Sequence, residues 1–386
     1  MNEESSQNDK ENVIREVLGE VLESIELDTE ALQVNAQGLK EGQIRVPQSV
    51  IVVPSQKMVV VGFDSGEMQF YFGLPDKLES GSGFKISDKD PVAHLDHASN
   101  WCPFSNVKVD KGSVSSVVVA SSGLGEALTL WWILDQEIRL PWIKYQFPSS
   151  GYILTDLAFC RRMSKVIVGT QKGRLLIYES QIQRFADMGQ MEEVVMVKVA
   201  HEGRINCIHP DEQWLLSSGS DGRVAIWMWE ADQFLHQIGS LFITNLPILS
   251  VYPCGPNELI CTLDSYILSL HILRNPANRR QCSLRQNPRG HVKMEPSGGK
   301  VTPSSSGMAV LRGHDFDPQD RLFLVLREDS KELQVIGQGI GLSVLTKGQS
   351  CLAFHYNHGK TATAMVVMDK STKKPSIVFR MKKVNN

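Results

Sequence analysis

The residue types that perform catalysis are present in this 386-residue chain, but not in working patterns. A phosphate loop needs G-x-x-x-x-G-K-[ST], so that backbone N–H groups cradle the phosphates and a lysine reaches them, and no such run occurs. The serine elbow G-x-S-x-G and the zinc-binding helix H-E-x-x-H are missing too. Gly337-Gln338-Gly339-Ile340-Gly341 is rich in glycine, yet it lacks the G-x-G-x-x-G spacing and a following helix pattern, so it reads as a turn between strands. His355 and His358 flank a hairpin turn and His201 and His209 form a second loose pair, but neither pair has a visible third ligand. The seven cysteines (102, 160, 207, 254, 261, 282 and 351) form no C-x-x-C. These patterns point to no catalytic residue, no metal, no cofactor and no small-molecule substrate.

The elements that would position such residues are strands. Apolar residues make up 42% and charged residues 22%, ordinary for a globular protein, and a net charge of −3 does not advertise nucleic-acid binding. The odd cysteine count and irregular spacing suit reduced thiols, so the expected setting is nuclear or cytoplasmic. The N-terminus is acidic without an apolar core, so it does not read as a secretory signal. No apolar run is long enough for a membrane span.

One pattern recurs: an apolar, β-branched run, a Gly- or Asp-containing turn, then a second apolar run ending in aromatics. It reads MVVVGFDSGEMQFYF from Met58, VVVASSGLGEALTLWWI from Val117, VIVGTQKGRLLIY from Val166 and WLLSSGSDGRVAIW from Trp214. Each predicts a β-hairpin. The turn glycines Gly66, Gly125, Gly173 and Gly222 are spaced by 59, 48 and 49 residues. A period of this size with four strands per unit predicts propeller blades, whose faces are buried only by stacking on neighbours. Weaker copies follow at 258–273, 321–337 and 351–368, making seven candidate hairpins. The last two turns are only 29 residues apart, so six blades and a remnant is the alternative count. PSIVFRMKK near the C-terminus and QIRV at Gln43 are the candidate strands for joining the chain's two ends.

The segment His201 to Trp229, HEGRINCIHPDEQWLLSSGSDGRVAIWMW, resembles a repeat of the WD-repeat family. The resemblance places His201 before the first strand of a blade, Ser218 on the second, Asp221 in the following turn and Trp227 on the third. It implies that these four form a hydrogen-bonded set inside the blade, which buried polar groups require. The sequence departs from the pattern where Ala200 precedes His201 and Met228 follows Trp227. Tyr71 and Tyr178 stand at the Trp place of other blades. The resemblance therefore implies an all-β fold: a WD-repeat-like β-propeller over residues 40–384, seven-bladed or else six-bladed.

Two segments fall outside the repeat. In residues 1–32, ten Asp/Glu stand against two Lys/Arg. Val13, Ile14, Val17, Leu18, Val21, Leu22 and Ile25 recur at three- and four-residue steps, which predicts an amphipathic helix starting near Asn8. Its apolar face would dock on the chain itself or bind a partner. Residues 274–307 are basic and rich in Pro, Gly and Ser, which predicts a mobile insertion within the propeller. Ser283, three residues after Arg280, resembles a basic-directed kinase site, Lys293 a SUMO acceptor, and Thr302 before Pro303 a proline-directed kinase site. Phosphate there would add about −1.5 to −2 charge to the basic insertion.

The function expected is a non-catalytic protein–protein scaffold, a subunit or adaptor of a complex, with Trp131, Trp132, Trp142 and Trp229 as candidate anchors. The alternative is nucleic-acid or chromatin association through the basic insertion and the C-terminal residues Lys373, Lys374, Arg380, Lys382 and Lys383.

Overall fold

The computed structural model describes residues 2–27, 45–53, 57–74, 79–85, 92–99, 115–122, 128–134, 144–147, 152–160, 165–179, 196–210, 214–230, 235–255, 257–263, 266–275, 277–278, 281–293, 308–312, 322–327, 330–337, 340–357 and 362–382. One helix, α1 (Asn2–Leu18), and one strand, β1 (Glu20–Glu26), come first. The first sheet then follows as β2 (Pro47–Val53), β3 (Met58–Phe63), β4 (Glu67–Phe72) and β5 (Glu79–Lys85). The second is β6 (Val92–Ser99), β7 (Ser115–Ser122), β8 (Leu128–Leu134) and β9 (Lys144–Phe147). The third is β10 (Leu154–Cys160), β11 (Lys165–Thr170), β12 (Arg174–Glu179) and β13 (Met196–Val199). The fourth is β14 (Ile205–Pro210), β15 (Trp214–Gly219), β16 (Arg223–Trp229) and β17 (Leu235–Phe242). The fifth is β18 (Ser250–Gly255), β19 (Glu258–Thr262), β20 (Tyr266–Arg274) and β21 (Cys282–Lys293). The sixth is β22 (Met308–Arg312), β23 (Leu322–Leu326), β24 (Leu333–Gly337) and β25 (Ile340–Ser343). The seventh is β26 (Gln349–Asn357), β27 (Ala362–Asp369) and β28 (Pro375–Met381), with β1 as its fourth strand. All seven are antiparallel; the first six are meanders, and the seventh takes its last strand from near the start of the chain.

The chain divides into two compact units, residues 1–148 with 344–386, and residues 149–343. In the first unit the core fills the space between the seventh and first sheets, with Val50, Val52, Val59 and Val61 against Ala364, Val366, Ile377 and Phe379. In the second unit, one cluster joins the third sheet to the fourth through Ile167, Leu175 and Ile177 against Leu215, Ala225 and Trp227. Another joins the fourth to the fifth through Leu216, Val224 and Ile226 against Val251, Leu259 and Cys261. Both faces of the inner strands are therefore buried, which is why their sequences are continuous apolar runs rather than alternating ones. Each such Val, Leu or Ile side chain contributes about 1.5–3 kcal/mol of burial.

The recurring glycine has a conformational cause. Gly66, Gly173 and Gly222 occupy one turn position with φ of 78°, 71° and 70°, a region that favours glycine. The turns also seat closely: a Cβ on Gly222 would lie 1.6 Å from the Thr244 carbonyl oxygen, and one on Gly173 2.0 Å from that of His201. Gly125 lies outside the described residues.

Four expectations change. The helix starts at Asn2, not near Asn8, and ends at Leu18, so Val21, Leu22 and Ile25 sit on a strand. Gly19 breaks the helix with φ of +88°, and the β28 edge offers hydrogen bonds that a continuing helix could not use. The strand that ties the chain ends together is thus β1, not QIRV; Gln43 and Ile44 lie outside the described residues, and Arg45 precedes β2 as a buried ion-pair partner of Glu67 at 2.9 Å. The helix expected within residues 1–32 is accordingly interrupted after Leu18, since β1 belongs to a sheet.

Residues 274–307 are not simply a mobile insertion, because Cys282–Lys293 is the outer strand of the fifth sheet, paired with β20 from Tyr266 to Arg274. Its polar composition reflects an outer position. A bulge opposite Leu268 and Leu270 absorbs Asn287-Pro288-Arg289-Gly290. Finally, the short spacing of the last two hairpins is an offset of one strand. The hairpin at 351–368 joins the first and second strands of its sheet, whereas the earlier ones join the second and third. The equivalent hairpin is β27–β28.

Candidate functional site

The fourth sheet contains the polar set that the sequence marks. His201 lies in the connection from β13 to β14, where its backbone N–H donates to Gly173 O at 3.2 Å. Its side chain is fully buried. The Nδ1 atom lies 3.0 Å from Asp221 Oδ1, and Nε2 lies 2.9 Å from Ser217 Oγ. Trp227 Nε1 donates to the same Ser217 oxygen at 3.0 Å. With a ring proton on Nδ1 donated to the carboxylate, Nε2 accepts from the Ser217 hydroxyl, and Ser217 in turn accepts from the indole. Asp221 also accepts from the backbone N–H groups of Glu202 at 3.1 Å and Arg223 at 3.2 Å. Burial pushes the Asp221 carboxyl upward, but the His201 hydrogen bond and charge and the two N–H groups outweigh it and hold it below its usual range.

The serine of the set is Ser217, not Ser218. Successive strand residues point to opposite faces. Ser217 shares a face with Leu215, whose register partner is Trp227, and that face meets the third sheet. Ser218 faces the fifth sheet with Leu216, and its buried hydroxyl has no hydrogen-bond partner. A one-residue shift therefore reverses the role. Gly219 also belongs to the site: a Cβ there would stand 2.6 Å from His201 Nδ1. The pattern Ser-Ser-Gly before the turn carried that signal, since a side chain at this position would displace the imidazole.

This set is saturated by internal bonds, so it shapes the blade and leaves no group for substrate. Other candidate residues are spent likewise. His355 Nδ1 accepts from Val52 N–H at 3.3 Å, and His209 packs tilted against Tyr252 at 4.3 Å between centroids. His358 lies outside the described residues. Among the described residues no group of three His, Cys, Asp or Glu could hold a metal, and no helix is long and apolar enough to cross a membrane. The six described cysteines are free thiols, Cys102 lying outside. Burial pushes Cys261 up to about 12, and burial with the nearby Asp156 charge pushes Cys207 well above its usual range.

The helix face splits. Ile14 and Leu18 are buried, whereas Val13 and Val17 are half-buried. Leu22 and Ile25 pack against the core between the seventh and first sheets, and Val21 is exposed. Arg380 of β28 donates to Gly19 O at 3.3 Å; burial pulls its guanidinium below its usual range, with Glu11 opposing and Arg15 adding to the effect.

Ser283 is exposed on β21, opposite Leu273 in the ladder. Lys293 ends that strand, and Thr302 lies outside the described residues. Arg274 stacks over Trp214 at 4.9 Å. Trp131 and Trp132 are on β8, whose side chains are outside the described set, as is Trp142 altogether. Trp229 is half-buried against the core of the third and fourth sheets.

A family model described as WD domain, G-beta repeat matches residues 193–228, the stretch that holds this set. No curated protein sequence matches the chain. A solved chain from the crystal structure of a mitotic checkpoint complex is similar at 13% identity and a TM-score of 0.48, over 78% of this chain and 74% of that one. Residues 193–228, with their buried His-Ser-Asp-Trp set, thus form a WD repeat, and the chain's other sheets of four antiparallel strands are built like propeller blades. Propellers of this class serve in general as interaction scaffolds.

Proposed function

We propose that the protein is a non-catalytic adaptor that holds other proteins together in a complex. The observation that carries this reading is the saturation of the marked polar residues: His201, Ser217, Asp221 and Trp227 bond one another, and His355 bonds backbone. What remains available to partners is surface. We place the adaptor in the nucleus or cytoplasm, a setting that the free, mostly buried thiols suit.

The basic residues do not favour the nucleic-acid alternative, because several are engaged within the chain. Arg274 covers Trp214, Arg380 bonds Gly19, and Lys374 pairs with Glu26. The adaptor reading is tested by purifying tagged full-length protein from native extract and weighing the eluate by native mass spectrometry. Partners at fixed stoichiometry are expected. Elution of the chain alone would overturn the reading.

A further inference from the structure

In the second unit, large apolar side chains reach solvent unevenly. Of the seven described there, Ile153, Val199, Phe242, Leu246 and Tyr266 all lie at the end of the third, fourth and fifth sheets where the second strand turns into the third. Ile153 O accepts from Gln171 N–H of the third sheet's turn. Val199 pairs with Arg174 just after that turn, and Phe242 pairs with Arg223 just after the next. Leu246 belongs to the connection laid over the Gly222 turn, and Tyr266 opens β20 after the fifth sheet's turn. Exposed apolar residues scattered singly need no explanation, but a run of them along one rim marks an interaction surface. Val199 is 63% exposed, more than any other large apolar side chain described.

The charge among the described residues at this rim is mainly positive. Lys172 and Arg204 are exposed and Lys198 and Arg223 half-exposed; none is ion-paired with a described residue. Arg223 lies over the exposed Phe242 ring at 5.6 Å, joining a cation to an apolar anchor. The acids nearby are Glu202 and Asp221, and the Asp221 carboxylate is already held by His201. The complementary occupant is acidic and carries apolar anchors. This chain's own acidic segment does not qualify, because Ile14 and Leu18 of α1 are already buried.

We infer that this rim, formed by the turn ends of the third to fifth sheets, docks an acidic linear segment of a partner protein that inserts two or more apolar side chains among Val199, Phe242 and Leu246. The inference rests on the adaptor reading and names the class of partner. Lysine and arginine supply attraction that salt weakens, and the apolar anchors supply residence time.

The test pans a phage-displayed library of random linear peptides on immobilised full-length protein. Enriched sequences should be acidic with at least two Leu, Ile, Phe or Trp. Their affinity should fall about tenfold or more in Phe242→Ser/Leu246→Ser. It should fall comparably in Lys172→Glu/Lys198→Glu and stay unchanged in Leu273→Ser at the opposite sheet end. The substituted side chains are exposed or half-exposed, so unchanged melting is expected, and the charge variant provides an independent check if the apolar one misfolds. Enrichment of basic or uncharged peptides, or binding indifferent to both double variants, overturns the inference. Cellular partners retained at full stoichiometry by both double variants would also overturn it while leaving the adaptor reading intact; a chain that isolates alone removes that reading instead.

Discussion

Ser217 Oγ accepts the indole proton of Trp227 across 3.0 Å, and the same oxygen meets His201 Nε2. The two side chains lie on one face of adjacent strands, two register positions apart, so β15 and β16 are held to each other through a side-chain bond as well as through the ladder. The bond has a direct consequence for substitution. Ser217→Ala leaves the indole N–H and the imidazole nitrogen buried without partners, at about 1–3 kcal/mol for each. Ser218→Ala removes a hydroxyl that bonds nothing, so it should be neutral or slightly stabilising. Urea unfolding of the two variants side by side checks this; equal losses would contradict the assignment.

Asp221 gives the blade a pH dependence. Its carboxyl is held below the usual range in the folded chain, so the stability it contributes is present above about 3.9, the unfolded value, and is lost as pH falls through the folded value. Asp221→Asn lacks this contribution. The stability gap between wild type and variant should therefore be constant at neutral pH and narrow in acid. Thermal melts from pH 7 to 3 would show it, and a gap that widened in acid would reverse the sign.

Gly19 controls the junction between helix and closing strand. Besides its positive φ, a Cβ there would lie 2.2 Å from the carbonyl carbon and oxygen of Met381. Gly19→Ala should cost more than the about 1–2 kcal/mol of a left-handed residue alone. Amide exchange at β1 and β28 should then quicken, first at the Glu20–Met381 pair beside it. Gly341→Ala is the control, because a Cβ there meets nothing within 4 Å.

Arg45 and Glu67 form an ion pair with each side chain 1% exposed, and Arg45 also covers the Phe63 ring at 4.6 Å. Glu67→Ala removes the carboxylate that pairs with a buried guanidinium and should cost about 3–5 kcal/mol. Replacing both partners together, as Arg45→Met/Glu67→Leu, should recover most of that loss, because no charge is then left unpaired. Denaturant midpoints of the single and double variants measure the difference.

The hairpin rhythm, the turn glycines and the one well-marked blade were legible in the sequence, because they depend on local chemistry: β-branched apolar runs, a turn that needs positive φ, and polar types that must pair when buried. The residues of the His201 site were legible to within one position. Ser217 and Ser218 are chemically identical, and only the register of β15 against β16 decides which of them meets Trp227. The segment Glu20–Glu26 is compatible with a helical stripe and with a strand; the exposed edge of β28, more than 350 residues away, decides for the strand. Cys282–Lys293 reads as loop by composition and becomes a strand through pairing with β20. Local conformation and residue type were thus written along the chain, whereas strand register, the junction of the two chain ends and the grouping of exposed apolar residues on one rim arise from contacts between segments distant in sequence, which no local pattern encodes.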